Sequence, residues 1–152
     1  MARNWRFNTD EWLRIKKGNR RKTILVVDDE GFLVDILFEV LDSNGYTVLT
    51  ATSGEEALKV AKKAGVIDLV LTDLIMKPMN GILLVEQLQQ TYPQIKVLFM
   101  SGYNKDYVRE NLGIHNIAFL VKPVLADTLL EKIAELLDND NPSSGGLSER
   151  DS

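Results

Sequence analysis

Three aspartates, a serine and a lysine, each beside a short apolar run, are the residues of this chain whose types and spacing suit chemistry. Asp28 and Asp29 follow Ile24–Val27, Asp73 follows Leu69–Thr72, Ser101 follows Val97–Met100, and Lys122 follows Ile117–Val121. Carboxylates brought together repel, so at neutral pH they share a proton or recruit a cation. With no cysteine and a single histidine, His115, thiol chemistry and multi-histidine metal sites are excluded. An oxygen-only donor set favours a hard ion and predicts Mg²⁺ with several waters retained. One carboxylate can then attack phosphorus while two others hold the metal. A hydroxyl and an ammonium, Ser101 and Lys122, can bind the phosphoryl oxygens, and phosphoryl transfer needs little beyond such positioning and neutralisation.

These residues meet only if the elements bearing them are neighbours. The apolar runs Ile24–Val27, Tyr46–Thr50, Leu69–Thr72, Val97–Met100 and Ile117–Val121 alternate with helical patterns. Four runs are nearly continuously hydrophobic, as expected of parallel strands covered on both faces. Tyr46–Thr50 is more polar and suits an edge. Leu33, Ile36, Leu37, Val40 and Leu41 give one apolar helix face, with Gly45 as a stop. Ser53-Gly54-Glu55-Glu56 has capping-box spacing ahead of Ala57–Ala64. Gly81–Gln90 and Leu125–Leu137 are further helices, whereas Lys105–Leu112 offers only Tyr107, Val108 and Leu112 as apolar anchors and is predicted to be short and loosely held. Repeated βα units predict an α/β fold, a flavodoxin-like doubly wound five-stranded parallel sheet of order 2-1-3-4-5 with helices on both faces. That order sets strands one and three side by side and gathers the aspartates at the carboxyl rim.

The chain has 152 residues, with 45% hydrophobic and 26% charged content, which fits one soluble globular domain. No apolar run is long enough for a membrane span and no signal peptide is evident, so a cytoplasmic protein without membrane partners is expected. The net charge of −4 is uneven. Residues 1–22 form a basic N-terminal arm, with eight Lys and Arg against Asp10 and Glu11; residues 23–138 form the domain, and 139–152 a polar, flexible tail. Trp5, Phe7 and Trp12 lie among the arm's basic residues, a pattern nucleic-acid binders share. No DNA-binding motif accompanies them, so a disordered or partner-dependent arm is expected instead. His115 reads as ordinary surface in a loop.

The segments ILVVDDE (24–30), ATSGEEAL (51–58), LVLTDLIMKPMNG (69–81), VLFMSGY (97–103) and FLVKP (119–123) resemble, in order and spacing, the receiver domain of two-component response regulators. The resemblance covers roughly 23–137. It implies that Asp73 is the phosphoacceptor, that Asp28, Asp29, Asp73 and the backbone carbonyl of Ile75 hold Mg²⁺, and that Lys122 contacts the phosphoryl group. It further implies a conformational switch through Ser101 and Phe119, and a cis bond before Pro123. The phosphoryl donor would be a histidine kinase or histidine phosphotransfer protein, and the output would pass to a downstream protein. The fourth-helix and fifth-strand face would be the candidate for a homodimer on activation. The chain would act as a signalling phosphoacceptor rather than an enzyme, either as a stand-alone regulator or as the receiver end of a hybrid sensor kinase.

Two departures stand out. The family pattern after the phosphoacceptor is Asp-x-x-Met-Pro-x-Met-Asp/Asn-Gly, whereas here Asp73-Leu74-Ile75-Met76-Lys77-Pro78-Met79-Asn80-Gly81 sets proline one place late, with lysine where proline normally stands. Ile75 and Tyr103, two residues beyond Asp73 and Ser101, are bulky where the family influences water attack on the acyl phosphate, which predicts slow self-dephosphorylation. The alternatives are a pseudo-receiver that binds partners without phosphorylation and an Mg²⁺-dependent phosphohydrolase with an aspartyl nucleophile. Asp28-Asp29 lacks the Asp-x-Asp spacing of haloacid-dehalogenase-type enzymes, and no cap segment is present.

Overall fold

The computed structural model describes residues 20–114 and 116–138. His115, the tail and residues 1–19 of the arm lie outside the described residues. Five strands, β1 (Thr23–Val27), β2 (Thr47–Ala51), β3 (Leu69–Asp73), β4 (Lys96–Ser101) and β5 (Phe119–Val121), form one parallel sheet in the order β2-β1-β3-β4-β5. Five helices connect and follow them: α1 (Gly31–Ser43), α2 (Gly54–Ala64), α3 (Gly81–Thr91), α4 (Lys105–Leu112) and α5 (Ala126–Asp138). The flavodoxin-like order predicted from the alternating pattern is the one observed.

Period-two alternation along the central strands divides the core into two layers. Ile24 and Val26 point to the face covered by α1 and α5, where Leu37, Leu41, Leu129 and Ile133 are buried. Leu25 and Val27 point the other way, among Ala57 and Ala61 of α2, Leu84 and Leu88 of α3, and Val108 of α4. A strand buried on both sides must be apolar at every position, which explains the unbroken ILVV run. β2 pairs only with β1 and is mostly half-buried, as its mixed composition requires at an edge.

The starts of α2, α3 and α4 are set by side-chain caps, whereas α1 starts at Glu30 without one. Ser53 Oγ accepts from Glu56 N at 3.0 Å, as the capping-box spacing predicts. The reciprocal bond differs: the Glu56 carboxylate reaches one residue further back, to Thr52 N at 2.7 Å. Asn80 and Asn104, unassigned from the sequence, cap α3 and α4 by accepting from Leu83 N and Tyr107 N at 2.9 and 2.8 Å. α1 ends as Gly45 takes φ +93°, the conformation glycine adopts without a Cβ penalty. Val108 is the buried residue of α4; Tyr107 and Leu112, the other two of its three predicted anchors, are exposed.

At the amino-terminal edge of the sheet, Arg20–Lys22 are tied to the domain. Arg20 forks onto Asp68 with contacts of 2.8 and 2.9 Å. Arg21 donates to the carbonyls of Gly45 and Tyr46, and Lys22 O accepts from Thr47 N. These last residues of the basic arm therefore form part of the packed body.

Candidate functional site

Pairing of β1 with β3, Val27 opposite Thr72, brings the strand ends together at the carboxyl rim. Carboxylate oxygens of Asp28, Asp29 and Asp73 all lie within 4.8 Å of one another. Asp28 is fully buried, Asp73 is 6% exposed and Asp29 faces solvent. The pairing of β4 with β5 sets Ser101 opposite Val121, and Ser101 O accepts from Lys122 N at 2.7 Å. Lys122 is thereby aimed across β3 and β1: its Nζ lies 2.8 Å from Asp28 Oδ2 and 3.4 Å from Asp73 Oδ2.

Each group is held by its own turn. Asp28 Oδ1 accepts from Glu30 N at 2.8 Å, and Asp73 Oδ1 from Ile75 N at 3.3 Å. Burial, then the neighbouring Asp28 charge, raises the Asp73 carboxyl above its ordinary range, although Lys122 and the Ile75 amide pull it down. Burial also works against the Lys122 ammonium, but its pairing with Asp28 and Asp73 outweighs this and raises it. One ammonium, paired with Asp28 and Asp73, thus stands against a cluster of three carboxylates, and the site keeps an excess of negative charge.

The residues present fit a hard divalent cation. All donors are oxygens, and the buried Asp28 Oδ2 has the Lys122 ammonium at 2.8 Å as its partner, which leaves three clustered carboxylates with more negative charge than one lysine balances. Together the groups provide an acidic pocket, a carboxylate exposed to reaction on one side, and a fixed cation beside it.

Gly81 is a site residue that no chemical side chain advertised. A Cβ there would collide with the backbone carbonyl of Asp73 and stand 3.1 Å from Leu74 Cα, while Gly81 N donates to Leu74 O at 2.9 Å. The start of α3 therefore rests directly on the segment that carries Asp73, and only glycine allows that approach. The shifted proline leaves this closure intact. Lys77 is exposed, and both Lys77–Pro78 and Lys122–Pro123 are cis, the second as the resemblance implies.

Ser101, fully buried, accepts at Oγ from Tyr103 N at 3.0 Å. The Tyr103 ring stacks on Tyr107 of α4 with centroids 4.3 Å apart. Phe119 is half-buried on the α2–α4 face, where its ring joins Val108, Ile114 and Ile117. Ile75 and Tyr103 are both exposed.

Residues 24–134 match the response regulator receiver domain family, and the chain belongs to it. Among curated relatives it is 37% identical over 118 residues to the sensor kinase CckA of Brucella abortus, covering 76% of this chain and 12% of that protein. It is 36% identical over 124 residues to the transcriptional regulatory protein GlrR of Escherichia coli, covering 80% of this chain and 27% of that one. The chain thus spans about an eighth to a quarter of these relatives' lengths. A solved structure of the chemotaxis protein CheY4 of Vibrio cholerae superposes with a TM-score of 0.68 at 28% identity, over 77% of this chain and 99% of that one. Receiver domains are signalling phosphoacceptors that bind Mg²⁺ at an aspartate cluster and take phosphate from histidine kinases. No helix among the described residues is long and apolar enough to cross a membrane.

Proposed function

We propose that this chain accepts a phosphoryl group on Asp73 from a phosphohistidine and passes the signal on through protein contacts. The observation that carries the reading is the grouping of three carboxylates within 4.8 Å beside a lysine that reaches both Asp28 and Asp73. In the transfer, an Asp73 oxygen attacks phosphorus, the P–N bond to the donor imidazole breaks, and an acyl phosphate forms while the imidazole takes a proton. Lys122 moves its charge from Asp73 towards the new phosphoryl oxygens. Asp28, Asp29, Asp73 and the Ile75 carbonyl would hold Mg²⁺, which when bound supplies the positive charge that lets an anionic donor approach.

The Ser101 hydroxyl donates to the phosphoryl oxygen, its loop draws inward, and Phe119 follows into the vacated space, raising the population of the signalling state. The donor is a histidine kinase or histidine phosphotransfer protein. Phe32 and Leu125, 75% and 67% exposed, lie within four residues of Asp28 and Lys122 respectively, and apolar side chains flanking an anionic site suit a protein donor. The setting is cytoplasmic, with a protein as downstream target and with the α4–β5 face as the surface for homodimerisation.

Acetyl phosphate with Mg²⁺, followed by intact-mass measurement, tests the reading. One adduct of about 80 Da that needs Mg²⁺ and is absent in Asp73→Asn is expected. An adduct retained by that variant would identify another nucleophile, and none in folded wild type under kinase-driven transfer would favour the pseudo-receiver. Exposed Ile75 cannot orient a water by hydrogen bonding, so decay of the adduct is expected to be slow and to accelerate in Ile75→Asn.

A further inference from the structure

The edge of the sheet opposite the aspartates carries a groove of about 470 Å³. Its apolar lining comes from the half-buried Tyr92 and from the edges of three buried residues, Ile67 before β3, Ile95 before β4 and Leu137 near the end of α5, with Asp68 and Gln94 at its margin. Asp68 is also the residue on which Arg20 forks, so the chain enters the described body at the groove wall. Residues 1–19, which precede that anchor, contain Trp5, Phe7, Trp12, Leu13 and Ile15, together with five basic residues against Asp10 and Glu11. The body they meet, residues 23–138, holds 17 acidic against 9 basic side chains.

We propose that residues 1–19 fold back onto this groove and seat an aromatic side chain, Trp12 being nearest in sequence, against Ile67, Tyr92, Ile95 and Leu137. Trp12 lies eight residues before Arg20, a span of ~12 Å as helix and up to about 27 Å extended, and Arg20 is itself tied to Asp68 at the groove margin. A groove of this size falls in the range that admits a large apolar group. Burying an aromatic ring removes on the order of 150–250 Å² from water, and opposite charge draws the arm to the acidic body. The other terminal segment also begins beside Leu137, but residues 139–152 hold only Leu147 and Pro142 as apolar candidates, so they are the poorer occupant.

The chain provides its own probe, because both of its tryptophans, Trp5 and Trp12, belong to the arm. In the full chain the tryptophan emission is expected to lie to the blue of free N-acetyltryptophanamide, with a several-fold lower acrylamide quenching constant, at every protein concentration. Trp12→Phe should abolish most of the shift and Trp5→Phe little of it. Thr91→Arg with Gln94→Arg, both exposed positions, should restore free-indole quenching while circular dichroism stays native. Deletion of residues 139–152 should change nothing. Emission and quenching equal to the free amide in wild type would overturn the proposal. A blue shift that survives the groove variant would place the arm elsewhere, and one that appears only at high concentration would assign the groove to the arm of a second copy.

Discussion

Replacing Asp73 by Asn should make the folded domain more stable in magnesium-free buffer, although it removes the residue that defines the site. Each carboxylate pair, with oxygens no more than 4.8 Å apart, repels by at least about 3.5 kcal/mol at an effective dielectric near 20. Neutralising Asp73 relieves two such pairs and forfeits its attraction to Lys122, about 4.9 kcal/mol at 3.4 Å on the same scale. Discounted for the exposure of Asp29, the balance is a gain of about 1–2 kcal/mol, or about 3–8 °C in Tm for a domain of this size. The amide oxygen of Asn still accepts from Ile75 N, so little else is lost. The pH dependence has a definite sign. Burial and Asp28 raise the folded carboxyl above its ordinary value of 3.8, so ionisation destabilises the wild type. That penalty is absent below about pH 3.8 and complete above the raised folded pKa, so the variant's advantage fades as pH falls. Saturating Mg²⁺ should stabilise wild type more than the variant and close the gap at neutral pH. Thermal unfolding followed by circular dichroism, with and without Mg²⁺, reads all of this. A variant no more stable than wild type in magnesium-free buffer at pH 7 would refute the charge accounting.

Lys122→Ala should lower stability by about 2 kcal/mol by leaving buried Asp28 without its cation. It should tighten Mg²⁺ binding measured by calorimetry while slowing acetyl-phosphate labelling by about tenfold or more. Gly81→Ala should gain about 0.5–1 kcal/mol as a helix substitution but lose about 1–3 kcal/mol to the clash with the Asp73 carbonyl. A net loss in urea unfolding, with a larger fall in labelling rate, is expected; a neutral variant labelled at the wild-type rate would remove Gly81 from the site. Asp68→Asn should cost about 1 kcal/mol at pH 7. Although burial opposes it, pairing with Arg20 and the Thr23 amide holds the Asp68 carboxyl below its ordinary value of 3.8. Its contribution is therefore present above that value and lost as pH falls through the lower folded pKa, so urea midpoints of variant and wild type should converge in acid.

The topology was legible because burial on both faces leaves a strand no choice but an apolar run, and because repeated βα units close in few ways. ILVV and LVLT announced themselves for that reason, and the polar residues of Tyr46–Thr50 marked the edge, where the strand observed is Thr47–Ala51. The aspartates were legible as residue types, but their convergence depended on strand order, which spacing alone does not fix. Gly81 closes the family pattern that follows Asp73, but its contact was missed because the role lies in the absence of a side chain and the pattern does not say what that glycine rests on. The weak hold on α4 was visible in its composition, but the stacking of Tyr103 on Tyr107 across the cap at Asn104 was not. The ties of Arg20 and Arg21 were hidden as well, since a run of basic residues looks the same whether solvated or docked.

The Tyr103–Tyr107 stack gives the loop after β4 a mechanical meaning. A serine hydroxyl accepts and donates at once, so the bond from Tyr103 N leaves the Ser101 hydrogen for an oxygen arriving at Asp73. Whatever tugs on that hydroxyl pulls a linkage of four parts: hydroxyl to amide, amide to ring, ring to ring, ring to helix. At its far end stands α4, eight residues long and pinned at Val108, so displacement at the rim is delivered to the element that resists it least.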